Sequence, residues 1–490
     1  MGHVQAPLST YRVQLIGAHA FERLGALAPY LAKLGISHAY LSPILQAAPG
    51  STHGYDIVDH SLISKDLGGE DAFRRAVAEL HAHDIKVVLD IVPNHMALPV
   101  PEYLNSAMWS LLRDGPESPY SSWFDLPEGQ EIVLPILGQR IDQCIDDDEL
   151  TISDDGGPDG GPVLRYYEHV VPLRPGTERL ALEELLARQH YRLAYWKVAS
   201  EELNYRRFFD VDTLVAVRVE NVEVFTDSHA VIVRLMTEGL VQGLRVDHPD
   251  GLADPIGYLR RLNTATPADS WIVIEKILAF DEQFQEELLC DGTTGYDALQ
   301  RIGGLFVDPA GKAVLTTAFA EIADVTTDWE VARDQAKRAI LNEVLISEVD
   351  RLARSAHEIC QSDVRLRDHS LRGLTEATEG NACGIGMAEF ALRRAVDAMD
   401  PRKTWMNEIT AKTPEGGRTP IALETDREAL AVAIAACVGV EVPTARVIRV
   451  RSTKDLELLL VSEAALPDVL ATGRCEVVVP LAEIAFNEDG

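Results

Sequence analysis

Two carboxylates of this 490-residue chain each follow an apolar, strand-like run. Asp247 lies within GLRVDHPDGL (243–252), and Glu275 comes directly after WIVI (271–274). Cleavage of a glycosidic bond with retention uses such a pair, one attacking as a nucleophile and one protonating the leaving oxygen, about 5 to 5.5 Å apart. The sequence therefore predicts a paired-carboxylate site where the two strands lie side by side.

Arg245 stands two residues before Asp247, so both side chains are predicted on one face of the strand. A guanidinium in that position is expected to keep the carboxylate ionised by charge and hydrogen bonding. Glu275 emerges from an apolar run, where partial desolvation favours the protonated acid. The pattern thus suits a nucleophile at Asp247 and an acid at Glu275.

These residues need a parallel sheet to bring them together. Short β-rich runs alternate with helical patterns, as in βα units, and the runs are STYRVQL (9–15), ISHAYLSP (36–43), IKVVLDIVP (85–93), GLRVDHP (243–249) and WIVIEKIL (271–278). Apolar residues at helical spacing predict helices over 21–35 and 70–84. Polar residues gather where the strands end, as on the catalytic face of a barrel.

The predicted fold class is α/β, a (β/α)8-type TIM barrel truncated after about six strands. About 150 residues separate the third and fourth runs, too many for one crossover, so a subdomain is predicted there; within it TERLALEELLARQHYRLAYW (177–196) is predicted helical. The predicted parts are the first barrel part (1–95), the inserted subdomain (96–200), the barrel continuation (201–310), a helical subdomain (311–378) and an α/β fragment (379–490).

Composition narrows the class of protein. The net charge is −32, which disfavours binding to nucleic acid or anionic membranes and suits a neutral ligand. The six cysteines lack any CxxC pair, so no disulfide framework and no zinc site is expected. No apolar stretch reaches the roughly 18 residues of a membrane span, and no secretory signal is recognisable. The expected location is the cytoplasm.

Four segments in order, HGYDIVD (53–59), DIVPNHM (90–96), GLRVDHPDGL and IVIEKIL, resemble the conserved segments of the α-amylase superfamily, glycoside hydrolase family 13. Within it the sequence is most similar to the maltooligosyl trehalose synthase family. That family carries segments like STYRVQL, LNYRRFFDV (203–211) and GTTGYDAL (292–299), and all three are present. The resemblance covers roughly residues 8–375.

The resemblance implies an activity and residue roles. Asp247 would be the nucleophile, Glu275 the general acid/base, and the substrate-binding residues would be Tyr55, Asp90, Asn94, His95, Arg245 and His248. The implied enzyme is a (1→4)-α-D-glucan 1-α-D-glucosylmutase, an isomerase that converts the reducing-end α-1,4 link of a maltooligosaccharide to α,α-1,1. It needs no metal or organic cofactor. Its partners would be the glucan substrate and the hydrolase that releases trehalose from the product.

Two departures from that family are visible. Superfamily members carry a third carboxylate, an aspartate after a histidine near the seventh strand, whereas His357 and His369, the histidines after residue 300, are not followed by Asp. The expected C-terminal β-sandwich is also missing. Instead the tail, with GNACGIGMAEF (380–390) and RTPIALETDREAL (418–430), resembles the C-terminal part of the nickel-pincer lactate racemase family. That resemblance does not imply nickel-dependent racemisation, because the family's cofactor machinery lies upstream of this segment.

Two alternatives remain open beside the mutase. An α-glucan hydrolase on the same barrel would use the same two carboxylates, with water as the acceptor. A catalytically silent glucan-binding or relic protein would behave the same whether or not Asp247 were replaced.

Overall fold

The structure is a computed structural model that describes residues 6–126, 129–158, 160–278, 282–285, 287–323, 329–362, 364 and 366–381, and strands within 407–480. The chain divides into two compact units, Met1–Asp328 and Trp329–Gly490. The five-part division of the sequence stays a prediction.

The first unit begins with alternating strands and helices. In chain order they are β1 (Thr10–Val13), α1 (Ala20–Lys33), β2 (His38–Leu41), β3 (Leu45–Ala47), β4 (Ile57–Ile63), α2 (Gly69–Ala82), β5 (Lys86–Ile91) and β6 (His95–Ala97). Both predicted helices are confirmed. Their apolar faces meet where the rings of Phe21 and Phe73 pack edge to face, with centroids 5.3 Å apart.

A long insertion follows β6. Its elements are α3 (Ser106–Asp114), β7 (Ile132–Leu137), α4 (Ile141–Asp146), β8 (Leu150–Ser153), β9 (Val163–Tyr166), β10 (His169–Pro172), α5 (Leu182–Leu186), β11 (Tyr191–Tyr195), α6 (Ala199–Glu202), β12 (Arg207–Phe208) and β13 (Val211–Ala216). Strands β8 to β10 form one antiparallel sheet, and in another β13 lies between β12 and β6 and pairs with both.

The prediction of a continuous helix over residues 177–196 is wrong. Only α5 is helical there, and β11 pairs in parallel with β7. The physical reason lies in the burial of β11, because Tyr191 and Leu193 are buried while Arg192 between them is exposed. That alternation has the period of a strand, and pairing with β7 decides its conformation.

The chain then returns to the main sheet. The remaining elements of the first unit are α7 (Val222–Thr237), β14 (Gly243–Val246), α8 (Pro255–Ala265), β15 (Trp271–Ile274), β16 (Gly292–Thr293), α9 (Tyr296–Gly304) and α10 (Gly311–Ala323). The sheet has six parallel strands in the order β1, β2, β5, β14, β15, β16.

This curled sheet confirms the five predicted strands and is consistent with a TIM-barrel-like fold. The sixth strand, β16, lies in GTTGYDAL, a segment too short and polar to be read as a strand from sequence. Strands β5 and β14 lie at the centre and are buried along nearly their whole length. Polar side chains on these two buried strands need partners within the protein, and the candidate site consists of such paired residues.

The second unit contains helices and a separate sheet. The helices are α11 (Trp329–Glu343), α12 (Ile346–Ser362) and α13 (Leu371–Asn381), which confirms the helical character predicted for about 330–372. The strands are β17 (Asn407–Lys412), β18 (Arg418–Leu423), β19 (Val447–Ser452), β20 (Glu457–Val461) and β21 (Val477–Pro480). Most of GNACGIGMAEF and all of DREAL lie outside the described residues, and the racemase-like character of the tail stays a prediction.

The described residues contain neither a membrane-spanning helix nor a metal-binding cluster. No helix there combines the length and the hydropathy that a membrane span requires. No three His, Cys, Asp or Glu side chains in that part of the chain are grouped so that they could hold a metal ion.

Candidate active site

Strand register places the two carboxylates level with each other. Val246 of β14 pairs with Ile274 of β15, so the next residues, Asp247 and Glu275, leave adjacent strands at the same height. The backbone N–H of Glu275 donates to the oxygen of Val246 at 2.9 Å, and that of Asp247 donates to Ile91 at 2.9 Å. The predicted meeting of Asp247 and Glu275 at the carboxyl ends of neighbouring strands is confirmed.

Arg245 joins three carboxylates with one guanidinium. Its Nη1 donates to Asp247 Oδ1 at 2.6 Å and to Asp90 Oδ1 at 2.7 Å. Its Nη2 lies 3.0 Å from Glu275 Oε1. The arginine and Asp247 are both more than nine-tenths buried, whereas the Glu275 side chain is 26% exposed. The nucleophile and acid candidates are therefore held by a single buried cation, and Glu275 is the more accessible of the two.

Burial decides the protonation of Asp247. The pKa of Asp247 is raised from 3.8 to about 7, chiefly by desolvation; Arg245 opposes the rise, and the charges of Asp90 and Glu275 contribute to it. Arg245 lowers the pKa of Asp247 by its charge and its hydrogen bond, in the expected direction, but burial outweighs it, so the net shift does not favour the ionised carboxylate.

This raised pKa predicts a pH-dependent stability difference. A carboxyl whose pKa is higher in the folded state stabilises the fold at low pH, and that contribution is lost as the pH rises through the folded pKa. The Asp247→Asn variant does not ionise, so its stability relative to the parent should increase between about pH 4 and pH 8, by roughly 3 to 4 kcal/mol. Urea unfolding of both proteins across this range measures the difference. A difference that stays constant with pH would contradict the raised pKa.

Asp90 is the centre of a second group of contacts. Its Oδ2 accepts hydrogen bonds from Tyr55 at 2.5 Å, Tyr40 at 3.0 Å and Arg12 at 3.0 Å, while Oδ1 accepts from Arg245. Its side chain is fully buried. Because both oxygens are occupied by protein donors, Asp90 orients Arg245 and Tyr55. A direct contact of Asp90 with substrate stays a prediction.

The Tyr55 side chain is fixed by its neighbours. Burial raises the pKa of Tyr55, as do the charge of Asp90 and the hydrogen bond to it, so the phenol stays protonated. The same hydroxyl accepts from Arg12 Nη2 at 3.0 Å. Tyr55 is partly exposed, so solvent reaches part of the residue.

His95 and Asn94 are neighbouring buried residues, and His95 contacts Tyr55. Burial lowers the pKa of His95 to about 3, so the imidazole is neutral. Its Nε2 lies 3.1 Å from the backbone oxygen of Tyr55, which makes Nε2 the protonated nitrogen. Asn94 accepts from Arg206 Nη1 at 2.8 Å. His95 thus holds the backbone of Tyr55, and Asn94 holds Arg206.

His248 lies between the acid and an aromatic pair. It adopts a left-handed backbone conformation, with φ of 44°, and its N–H donates to Glu275 Oε2 at 3.1 Å. The ring centroids of Phe208 and Phe209 lie 4.9 and 5.0 Å from the centroid of its imidazole ring. Phe209 is 60% exposed, so the site has an apolar wall beside Glu275.

Sequence reasoning missed several members of the site. Arg12 and Tyr40 bind Asp90, and Arg206 joins Asn94, Asp125 and the oxygen of Gly251. The signal for the two arginines was present, since STYRVQL and LNYRRFFDV place arginines next to aromatic and aliphatic residues. Tyr40 gave no such signal, because an aromatic residue in a strand usually packs in the core.

The structure brings all eight predicted site residues together at one end of the central strands. They are Tyr55, Asp90, Asn94, His95, Arg245, Asp247, His248 and Glu275, linked by the contacts given above. His357 lies in α12 and His369 precedes α13, both in the second unit. Whether each residue binds substrate stays a prediction.

Comparisons with known proteins agree with this geometry. Residues 26–255 match the family described as alpha amylase, catalytic domain. The chain is 42% identical over 327 residues to a Mycobacterium tuberculosis protein named as a maltooligosyl trehalose synthase, an alignment that covers 65% of this chain and 41% of the relative.

Solved structures give the same result. The maltooligosyltrehalose synthase from Arthrobacter ramosus matches with a TM-score of 0.69 at 38% identity, covering 81% of this chain and 51% of that one. A second crystal structure of a maltooligosyl trehalose synthase matches with a TM-score of 0.67 at 35% identity, covering 76% of this chain and 48% of that one. The chain thus spans about half the length of the relatives it matches. Residues 26–255 are thus similar to an α-amylase catalytic domain, and the chain is similar in sequence and fold to the maltooligosyl trehalose synthases.

Proposed function

We propose that this chain is a (1→4)-α-D-glucan 1-α-D-glucosylmutase, which converts the reducing-end α-1,4 link of a maltooligosaccharide to an α,α-1,1 link. The observation that carries the proposal is the single buried guanidinium of Arg245 between Asp247 and Glu275. It supports a nucleophile and an acid on adjacent strands at equal height, as a retaining glycosyl transfer requires.

The first chemical step breaks the terminal α-1,4 bond. An Asp247 carboxylate oxygen attacks the anomeric carbon of the penultimate glucose, while Glu275 gives its proton to the departing oxygen of the reducing-end glucose. The glucan is then covalently attached to Asp247 and the glucose is free. Glu275, now ionised, accepts the N–H of His248 and faces Arg245, which together stabilise its charge.

The second step uses the released glucose as acceptor. Glu275 removes the proton of its anomeric hydroxyl, and that oxygen attacks the carbon bound to Asp247, forming the α,α-1,1 link and releasing the carboxylate. Isomerisation then depends on retaining the glucose and excluding water. The ring of Tyr55 and the exposed face of Phe209 supply flat apolar surfaces beside the two carboxylates, which suit a sugar ring. Such a product would be the substrate of a hydrolase that releases trehalose, in a cytoplasmic setting.

One observation favours hydrolysis as the second candidate. Among the described residues β1 and β16 are the edge strands of a six-stranded sheet, which we read as part of a (β/α)8-type barrel truncated after about six strands. An edge on either side leaves more routes for water than a closed barrel does. Water attacking the Asp247 intermediate would give shorter maltooligosaccharides.

Maltopentaose distinguishes the two reactions. The mutase should remove reducing ends while the product keeps the mass of the substrate, because the reaction is an isomerisation. Hydrolysis should increase reducing ends and give shorter chains. Maltopentaitol is the matched control substrate, since it has no anomeric hydroxyl to act as acceptor. A gain of reducing ends from maltopentaose, or no conversion of it, would contradict the mutase.

A further inference from the structure

Lys276 directly follows the proposed acid and is itself buried, with only 7% of the residue exposed. Its Nζ lies 3.4 Å from Asp250 Oδ2 and 3.2 Å from Glu282 Oε1. A buried ammonium needs such pairing, because an unpaired charge is strongly disfavoured away from water. The lysine is thus committed to two carboxylates, neither of which belongs to the Arg245 group.

The partners of Lys276 lie on different loops. Glu282 follows β15, as Lys276 does, whereas Asp250 belongs to the 3-10 turn Pro249–Gly251 that follows Asp247. The bond from Lys276 to Asp250 therefore crosses between the loop that carries the acid and the loop that carries the nucleophile. The contact with Glu282 stays within the segment after β15, so only the contact with Asp250 can fix the distance between the two loops.

The backbone around Glu275 makes its direction sensitive to Lys276. The N–H of Lys276 donates to the oxygen of Ile274 at 3.1 Å, so the chain turns sharply at Glu275. The glutamate side chain reaches Arg245 and the N–H of His248, while the lysine side chain reaches Asp250. The side chain of Lys276 thus anchors the end of this turn. The contacts of the Glu275 side chain set its direction at the centre of the turn.

We propose that Lys276 is a positioning residue that fixes the separation between Asp247 and Glu275 by tying their two loops together through Asp250. This inference rests on the proposed function and deepens it. Lys276 does not act on the sugar, because both of its ion pairs are made to protein carboxylates. Its contribution is geometric, and small errors in placement of reacting groups are costly, on the order of 10²-fold for about 1 Å.

The kinetic test compares four variants of the full chain with the parent. Lys276→Met and Asp250→Asn both remove the cross-loop contact, and each should lower kcat for maltopentaose roughly 10- to 100-fold with KM changed less than about twofold. Lys276→Arg keeps the charge and should recover most of kcat. Lys33→Met, on the exposed end of α1, is the matched control and should leave kcat unchanged. Equal kcat in parent and Asp250→Asn, or a change confined to KM, would overturn the proposal.

A second readout does not depend on activity. Amide hydrogen exchange of peptides within 243–254 and 271–278 should be faster in both contact-breaking variants than in Lys33→Met, because the two loops lose their tie. Asp250→Asn covers the case in which Lys276→Met does not fold, since the Asp250 side chain is 40% exposed and its neutral form is less disruptive. If the parent fails to convert maltopentaose, the proposed function fails, and the exchange rates still decide the positioning role: unchanged rates overturn it.

Discussion

Asp247→Asn is expected to lower the rate of maltopentaose conversion by at least roughly 10⁴-fold. An amide cannot form the covalent glycosyl intermediate. Of the other carboxylates described around Arg245, Asp90 is fully buried and occupied, and Glu275 is required as the acid. The measurement is the loss of reducing ends with time, under saturating substrate, for the parent and the variant.

Asp269→Asn provides the matched control for that experiment. This aspartate is exposed in the turn between α8 and β15, so the same change of charge is made outside the site. Its rate should equal that of the parent. If Asp247→Asn retained a tenth or more of the parent rate, Asp247 would not be the nucleophile. The urea unfolding of the same variant at neutral pH separates a loss of fold from a loss of activity.

The second large effect is on stability. Arg245→Met should reduce the free energy of unfolding by about 3 to 5 kcal/mol, because it leaves Asp90, Asp247 and Glu275 crowded together without their shared cation. Desolvation alone lowers the pKa of Arg245, yet the surrounding acidic groups, Asp90 first, raise it above its ordinary value, so the guanidinium is charged at every accessible pH. Urea unfolding at pH 7 measures the loss.

Arg234→Met is the matched control for Arg245→Met. Arg234 also pairs with carboxylates, with Nη1 2.7 Å from Glu70 Oε1, but its side chain is 40% exposed. Solvent screens such a pair, so this change should cost less than about 1 kcal/mol. Similar losses for the two variants would show that burial of the Arg245 group has no energetic importance.

The pattern of apolar runs and helical spacing was sufficient to predict five strands of the main sheet and the helices α1 and α2. Strands β2, β5, β14 and β15 are mostly buried, and such parallel strands are easily recognised as apolar runs; the largely exposed β1 also falls inside a predicted run. Residues 177–196 show the limit of that approach. Leu and Ala are common in that segment and favour a helix, but pairing of β11 with β7 outweighs local preference.

The sequence by itself determined the types and the order of the residues that could carry out glycosyl transfer. It also determined the two-residue spacing that places Arg245 and Asp247 on one face of their strand. Only the tertiary structure decided how they interact. Register between β14 and β15 sets Asp247 level with Glu275, and register with β5 pairs Arg245 with Asp90. Asp247 and Glu275 are 28 residues apart along the chain, and Arg245 and Asp90 are 155 apart, so no local pattern encodes these pairs.

The protonation of Asp247 illustrates the same division. From sequence, the neighbouring arginine predicts an ionised carboxylate, because only the local partner is visible. In the folded chain that arginine is shared with Asp90 and Glu275, and burial raises the pKa of Asp247 to about 7. Desolvation depends on everything packed around a group, which is a property of the three-dimensional structure and cannot be read from the order of its residues.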